Sequence, residues 1–128
     1  MNSQAEVEIS QEVLRMILES AKALYPRETI FLLRGKTRKN MVAISEMLVP
    51  PFATYGRGFS AFPTYMLPID FSIVGTAHSH PSGNLTPSVG DLNHSFGRLI
   101  LIVAFPYESQ ENMAAYNREG KKLTLHVT

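Results

Sequence analysis

Between Ser10 and Tyr25 the apolar residues fall at helical spacing. Val13, Ile17, Ala21 and Leu24 recur every three or four positions, a period that buries one face of a helix. Ser10 is a suitable N-cap, and Ile9 and Leu14 are spaced for a hydrophobic staple. Pro26 stops the helix, because its ring cannot continue the hydrogen-bond ladder. From there the pattern becomes that of strands. Residues 28–35, ETIFLLRG, form a short continuous apolar run bounded by Pro26 and Gly35, which predicts a strand buried on both faces. GKTRKN (35–40) reads as a basic, solvated turn, and MVAISEMLVP (41–50) as the returning strand.

Residues 51–70 break the pattern. Phe52, Tyr55, Phe59, Phe62 and Tyr65 alternate with Gly56, Gly58, Pro63 and Pro68. We read a long loop whose aromatics pack onto the sheet; loops of this length in small domains are often functional. FSIVGTAHSH (71–80) predicts a strand, and TPSVGDLNHSFG (86–97) a short helix capped by Thr86 with Pro87 at its first position. RLILIVAF (98–105) predicts a central buried strand. ENMAAYN (111–117) and KKLTLHVT (121–128) predict two more, joined by a turn at REG. The expected architecture is α/β: a mixed sheet with helices on it, in a single domain spanning 1–128.

Composition narrows the function. Apolar residues make up 45% and charged residues 18% of 128 positions, a globular balance. The formal net charge of +1 gives no reason to expect nucleic acid or an anionic membrane as partner. No apolar run approaches the roughly 20 residues of a membrane span, and the polar start MNSQAEVEIS is no signal peptide. A cytoplasmic protein is the expectation. There is no cysteine, so any zinc must be held by His, Asp or Glu.

Three of the four histidines lie in the window GTAHSHPSGNLTPSVGDLNHSF, Gly75 to Phe96. On a strand, residues two apart share a face, so His78 and His80 present two imidazoles side by side. Pro81 and Gly83 turn the chain sharply, and Asp91, one turn into the next helix, can face back. Two His and one Asp leave one coordination position for water, the pattern of a catalytic zinc rather than a structural one. Each residue also has an ordinary explanation. His78 and His80 suit a plain strand, and Asp91 fits a capping box, Ser88-x-x-Asp91. The combination at this spacing favours the metal. His94 lies three residues past Asp91, where a surface or supporting role is the better expectation, and His126 reads as structural. A carboxylate to take the proton from water is also needed, and the pattern alone does not choose it.

HSHPSGNLTPSVGD, His78 to Asp91, resembles the signature of the JAMM (MPN-plus) zinc metalloproteases: His-x-His-Pro-x-Gly, three residues, Pro-Ser-x-x-Asp. Every fixed position is present. The family's second element is a glutamate opening a strand that usually reads Glu-x-x-Gly-Leu-Leu-x-Gly. ETIFLLRG is similar to it, with Phe31 where a glycine is common, and this places the glutamate at Glu28. The resemblance extends over almost the whole chain. It implies His78, His80 and Asp91 as ligands of Zn2+, Glu28 as general acid/base, and Ser88 as donor to the oxyanion. It also implies a curved mixed β-sheet flanked by helices, akin to cytidine deaminases.

Family members that keep these residues are typically isopeptidases. They cut ubiquitin or ubiquitin-like modifiers from lysine, or process them at their C-terminal glycines. The bare domain resembles the compact prokaryotic, especially archaeal, members, with a small ubiquitin-like modifier as partner. Its extended tail is expected to add to an exposed strand edge, with the 51–70 loop flanking the groove. Apolar strand edges also fit a homodimer. Two alternatives stand beside this: a zinc peptidase that trims a sulfur-carrier protein, and a non-catalytic interaction module. A nucleobase deaminase is disfavoured, because those sites usually employ cysteine ligands.

Overall fold

The computed structural model describes residues 5–49, 54–55, 60–61, 72–93 and 97–128. The first element is a strand that the helical and apolar-run patterns do not predict. Glu6–Ile9 form strand β1, with Val7 and Ile9 fully buried. Helix α1 follows over Gln11–Leu24, and Ser10 caps it by accepting the Val13 N–H at 3.2 Å. Ile9 and Leu14 both enter the main core, as a staple requires. Tyr25 leaves the helical region (φ −55°, ψ 136°), as the residue before a proline must.

β2 (Ile30–Arg38) and β3 (Met41–Leu48) form the predicted hairpin. The expected turn at 35–40 is shorter than its composition suggested: only Lys39 and Asn40 turn. Gly35 is not a strand end but the site of a bulge inside β2, where the register shifts after Arg34. A side chain there would run into the Ala43 carbonyl, which is why a glycine can sit mid-strand. Phe31, standing at the family's glycine position, is 1% exposed and packs in the main core.

β4 (Thr54–Tyr55) and β5 (Ser60–Ala61) form a separate antiparallel pair. The remainder of the 51–70 loop, including the packing expected of its aromatics, lies outside the described residues. β6 runs Ile73–His80, α2 Val89–Asn93, β7 Leu99–Ala104, β8 Met113–Asn117 and β9 Lys122–Val127. β7 is buried at every residue, as its unbroken apolar run predicts. β8 starts later than expected, because Gln110–Asn112 form a 3-10 turn capped by Ser109.

The strands pair in the order β1-β3-β2-β6-β7-β8-β9 and close into a barrel. β1 makes the closure, pairing parallel with both β3 and β9. β6 and β7 are also parallel, and the remaining barrel pairs are antiparallel. The result is the mixed, curved sheet expected. Each barrel strand has a neighbour on either side. Among the described residues, the barrel strands therefore present no wholly unpaired edge to the expected homodimer or substrate tail. The apolar face of α1 (Val13, Leu14, Ile17, Leu18, Ala21) joins residues of β1, β2, β3, β6, β7, β8 and β9 in one core. No helix among the described residues is long and apolar enough to cross a membrane.

Candidate metal centre

β6 lies between β2 and β7, with His78 opposite Ile30 on one side and Ile102 on the other. Backbone bonding on both flanks fixes where the side chains of its C-terminal end project. Alternation puts Thr76, His78 and His80 on one face, and all three are buried, the histidines at 3% and 7% exposure. The Thr76 hydroxyl holds His78 Nε2 at 3.0 Å. Beyond His80 the chain reverses. Gly83 takes φ +86° and its N–H bonds the His80 carbonyl at 3.2 Å. The Asn84 carbonyl then sits 2.6 Å from His80 Nδ1, while the Asn84 side chain accepts the Thr86 N–H.

Thr86 therefore belongs to this turn and does not cap the helix. Ser88 does. Its Oγ accepts the Asp91 N–H at 3.0 Å, and Asp91 Oδ2 accepts the Ser88 N–H at 2.9 Å. This is the reciprocal capping box, set one residue past Pro87, and it starts α2 at Val89 rather than at 87. Leu85 and Leu92 pack on Ile100, Ile102, Ala114 and Tyr116, and the Tyr116 hydroxyl donates to the Leu85 carbonyl at 2.7 Å. These contacts press the loop and the helix start against the sheet.

The outcome is convergence. Asp91 Oδ2 lies 2.7 Å from His80 Nε2, and Oδ1 lies 3.1 Å from His78 Nδ1. Burial alone would push the Asp91 carboxyl up. The hydrogen bonds from both histidines, the charge at His78 and the Ser88 N–H outweigh it and hold the group well below the usual carboxylate range. Burial likewise lowers His80, but the bonds to Asp91 and the Asn84 carbonyl, with the charges of Asp91 and Glu28, leave it raised. Asp91 is at once the capping-box acid of a five-residue helix and the partner of both histidines, so the two readings of this residue are compatible.

Glu28 joins from β2's side. Ile30 faces His78, and the Ser79 N–H bonds the Thr29 carbonyl at 3.0 Å. One step further brings Glu28 level with His80. Burial raises its carboxyl; the positive charge of His80 lowers it and the negative charge of Asp91 raises it, for a net upward displacement. Ser88 is exposed at the rim, and because its Oγ accepts from Asp91 its proton remains free to donate.

Among the described residues, no three His, Asp or Glu side chains already point at one common centre. His78, His80 and Asp91 close on one another through the hydrogen bonds above. The donor set nevertheless fits zinc. It offers two imidazoles and a carboxylate, a set zinc accepts. Asn84 fixes the His80 ring by its Nδ1, leaving Nε2 toward Asp91, the outer-partner arrangement typical of metal-bound histidine. Thr76 was missed from sequence although its position two residues before His78 signalled it. Asn84 acts through its backbone and left no signal. His94 lies outside the described residues. His126 is away from the site: on β9, its Nε2 is 2.9 Å from Glu6 Oε1, in an exposed pair between β9 and β1.

A family model for prokaryotic homologues of the JAB domain matches residues 10–119. A curated relative from Haloferax volcanii, named a probable metalloprotease, is 29% identical across 98% of this chain and 81% of its own length. A crystal structure of a JAB1/MPN domain protein from Archaeoglobus fulgidus is 35% identical, with a TM-score of 0.69 over 94% of this chain and 98% of that one. A structure described as JAMM, a metalloprotease-like zinc site in the proteasome and signalosome, is 30% identical, with a TM-score of 0.68 over 98% and 99%.

Proposed function

This chain belongs to the family of prokaryotic homologues of the JAB domain, and on that premise we propose that it is a zinc-dependent isopeptidase. Its substrate in this reading is the bond between the C-terminus of a ubiquitin-like modifier and a lysine amine. The observation that carries the proposal is the convergence of His78, His80 and Asp91 at the end of β6, with Glu28 brought alongside by the β2–β6 register. The metalloprotease name of one relative and the zinc site of another support it.

His78, His80 and Asp91 would hold the ion. Bound zinc supplies a Lewis acid and lowers the pKa of water enough for attack at neutral pH. Glu28, partly buried and with its carboxyl raised, is suited both to accept the proton from the attacking water and to return it to the departing lysine nitrogen. A general acid/base works best when its pKa lies toward the working pH. Ser88, exposed at the rim, would donate to the oxygen that gains charge at the scissile carbonyl. Thr76 and the Asn84 carbonyl hold the imidazoles in orientation.

The test is incubation of the zinc-loaded protein with a lysine-linked conjugate of a ubiquitin-like protein and, separately, with a linear fusion of the same protein. Release from lysine that is abolished by a chelator and restored by zinc is the expected result. Cleavage of the linear fusion alone identifies a carrier-trimming peptidase instead. Cleavage of neither identifies a non-catalytic module.

A further inference from the structure

On the face of β6 turned away from the histidines, three hydroxyls are shut off from solvent. Thr29, Ser79 and Tyr107 are 0%, 1% and 1% exposed. Tyr107 belongs to the main apolar core, with Ala77 and Val103. The Thr29 and Tyr107 hydroxyls have no hydrogen-bond partner. Tyr107 is close enough to Ser79 and Glu28 to feel both, without reaching hydrogen-bond geometry, and burial pushes its phenol up to about 12. An unsatisfied buried hydroxyl destabilises by about 1–3 kcal/mol. A polar cluster in this place is thus poorly explained by stability alone.

Of the three hydroxyls, that of Ser79 is the one with a partner. In a regular antiparallel pair every second facing pair exchanges both N–H···O=C bonds, and continuing the register one step past Ile30↔His78 places Thr29 opposite Ser79. One bond is regular: the Ser79 N–H donates to the Thr29 carbonyl at 3.0 Å. The other is not. The Thr29 N–H donates to the Ser79 hydroxyl at 2.9 Å. A side chain therefore completes the ladder one residue before β2 begins, at the peptide that joins Glu28 to Thr29.

We propose that Ser79 is a positioning residue for Glu28, its hydroxyl clamping the Glu28–Thr29 peptide to the histidine-bearing strand so that the carboxylate keeps a fixed distance from the metal centre. This rests on the assignment of Glu28 as general acid/base. It gives a task to the residue between the two histidines, whose side chain faces away from the metal.

The test uses the full chain with Ser79→Ala, Ser79→Thr, Glu28→Gln and the double variant Ser79→Ala/Glu28→Gln. Hydrogen exchange reads the clamp without any need for activity. The Thr29 amide is expected to lose protection in Ser79→Ala while β7 amides keep theirs, and to recover in Ser79→Thr. Unchanged Thr29 protection overturns the proposal. In turnover of an isopeptide substrate, Ser79→Ala is expected to lower kcat by up to about 10²-fold, the effect of a small misplacement, with KM and zinc content unchanged. In the Glu28→Gln background the same substitution should change kcat no further, because two residues acting as a unit are not additive. An equal loss in both backgrounds shows that Ser79 acts through the fold and not through Glu28. A wild-type protein that cleaves nothing while Thr29 protection still depends on Ser79 removes the enzymatic reading and with it the positioning role. A wild-type protein that cleaves while Ser79→Ala matches it removes the positioning role alone.

Discussion

Glu28 carries two consequences that can be measured separately. As the proposed acid/base, its replacement by Gln should lower kcat by roughly 10²–10⁴-fold while zinc content stays at the wild-type level; undiminished turnover would remove it from the mechanism. In the metal-free chain burial raises its carboxyl. Since Glu28 must be ionised to take a proton, activity should fall with acid as it titrates, and an acid limb left unchanged in the residual activity of Glu28→Gln contradicts the assignment. The same shift has a stability sign. A carboxyl whose folded pKa exceeds its unfolded one loses stability as pH rises from the unfolded value through the folded one. Metal-free Glu28→Gln should therefore melt above metal-free wild type at neutral pH and lose that advantage in acid. An advantage that grows toward acid would show the shift to be downward.

At the scale of elements, α2 shows how a short helix serves the site. With five residues it has little intrinsic stability and depends on the Ser88–Asp91 box. Ser88→Ala should weaken the cap by about 0.5–2 kcal/mol, lowering zinc affinity in a metal titration as well as turnover. Ser88→Thr should restore the affinity, and full affinity in Ser88→Ala would uncouple cap from centre. The elements also show what a linear reading can and cannot reach. The His78/His80 face was legible because strand alternation is rigid, and Asp91 because helix starts have a sequence signature. The position of Thr86 before Pro87 permits a cap equally well; only the Asn84 turn, which claims the Thr86 N–H, decides for Ser88. Gly35 was read as a stop because sequence cannot distinguish a bulge from an end. β1 was passed over because EVEI is short and half charged, although Val7 and Ile9 alternate with Glu6 and Glu8 as a strand demands.

For the whole molecule, β1 turns a curved sheet into a barrel, a long-range event that no local window contains: Glu6 pairs with Thr124 and Met41 at once. Ile9 is fully buried there, and Ile9→Ala should cost about 2–5 kcal/mol, read as a lower midpoint in denaturant. A shift within error would mean that closure contributes little. The sequence pattern conveyed the class, the mixed sheet and the site, because those rest on period and spacing; closure depends on contacts across the chain's full length.

The central claim is that His78, His80 and Asp91 together hold one zinc ion with a position left for solvent. X-ray absorption at the zinc edge on the loaded protein tests it most directly. The account predicts one zinc per chain, two imidazole nitrogens and light oxygen ligands at about 2.0–2.2 Å, with the imidazole signal lost in His78→Ala/His80→Ala. A chain that takes up no zinc, or an identical spectrum from the double variant, would contradict it.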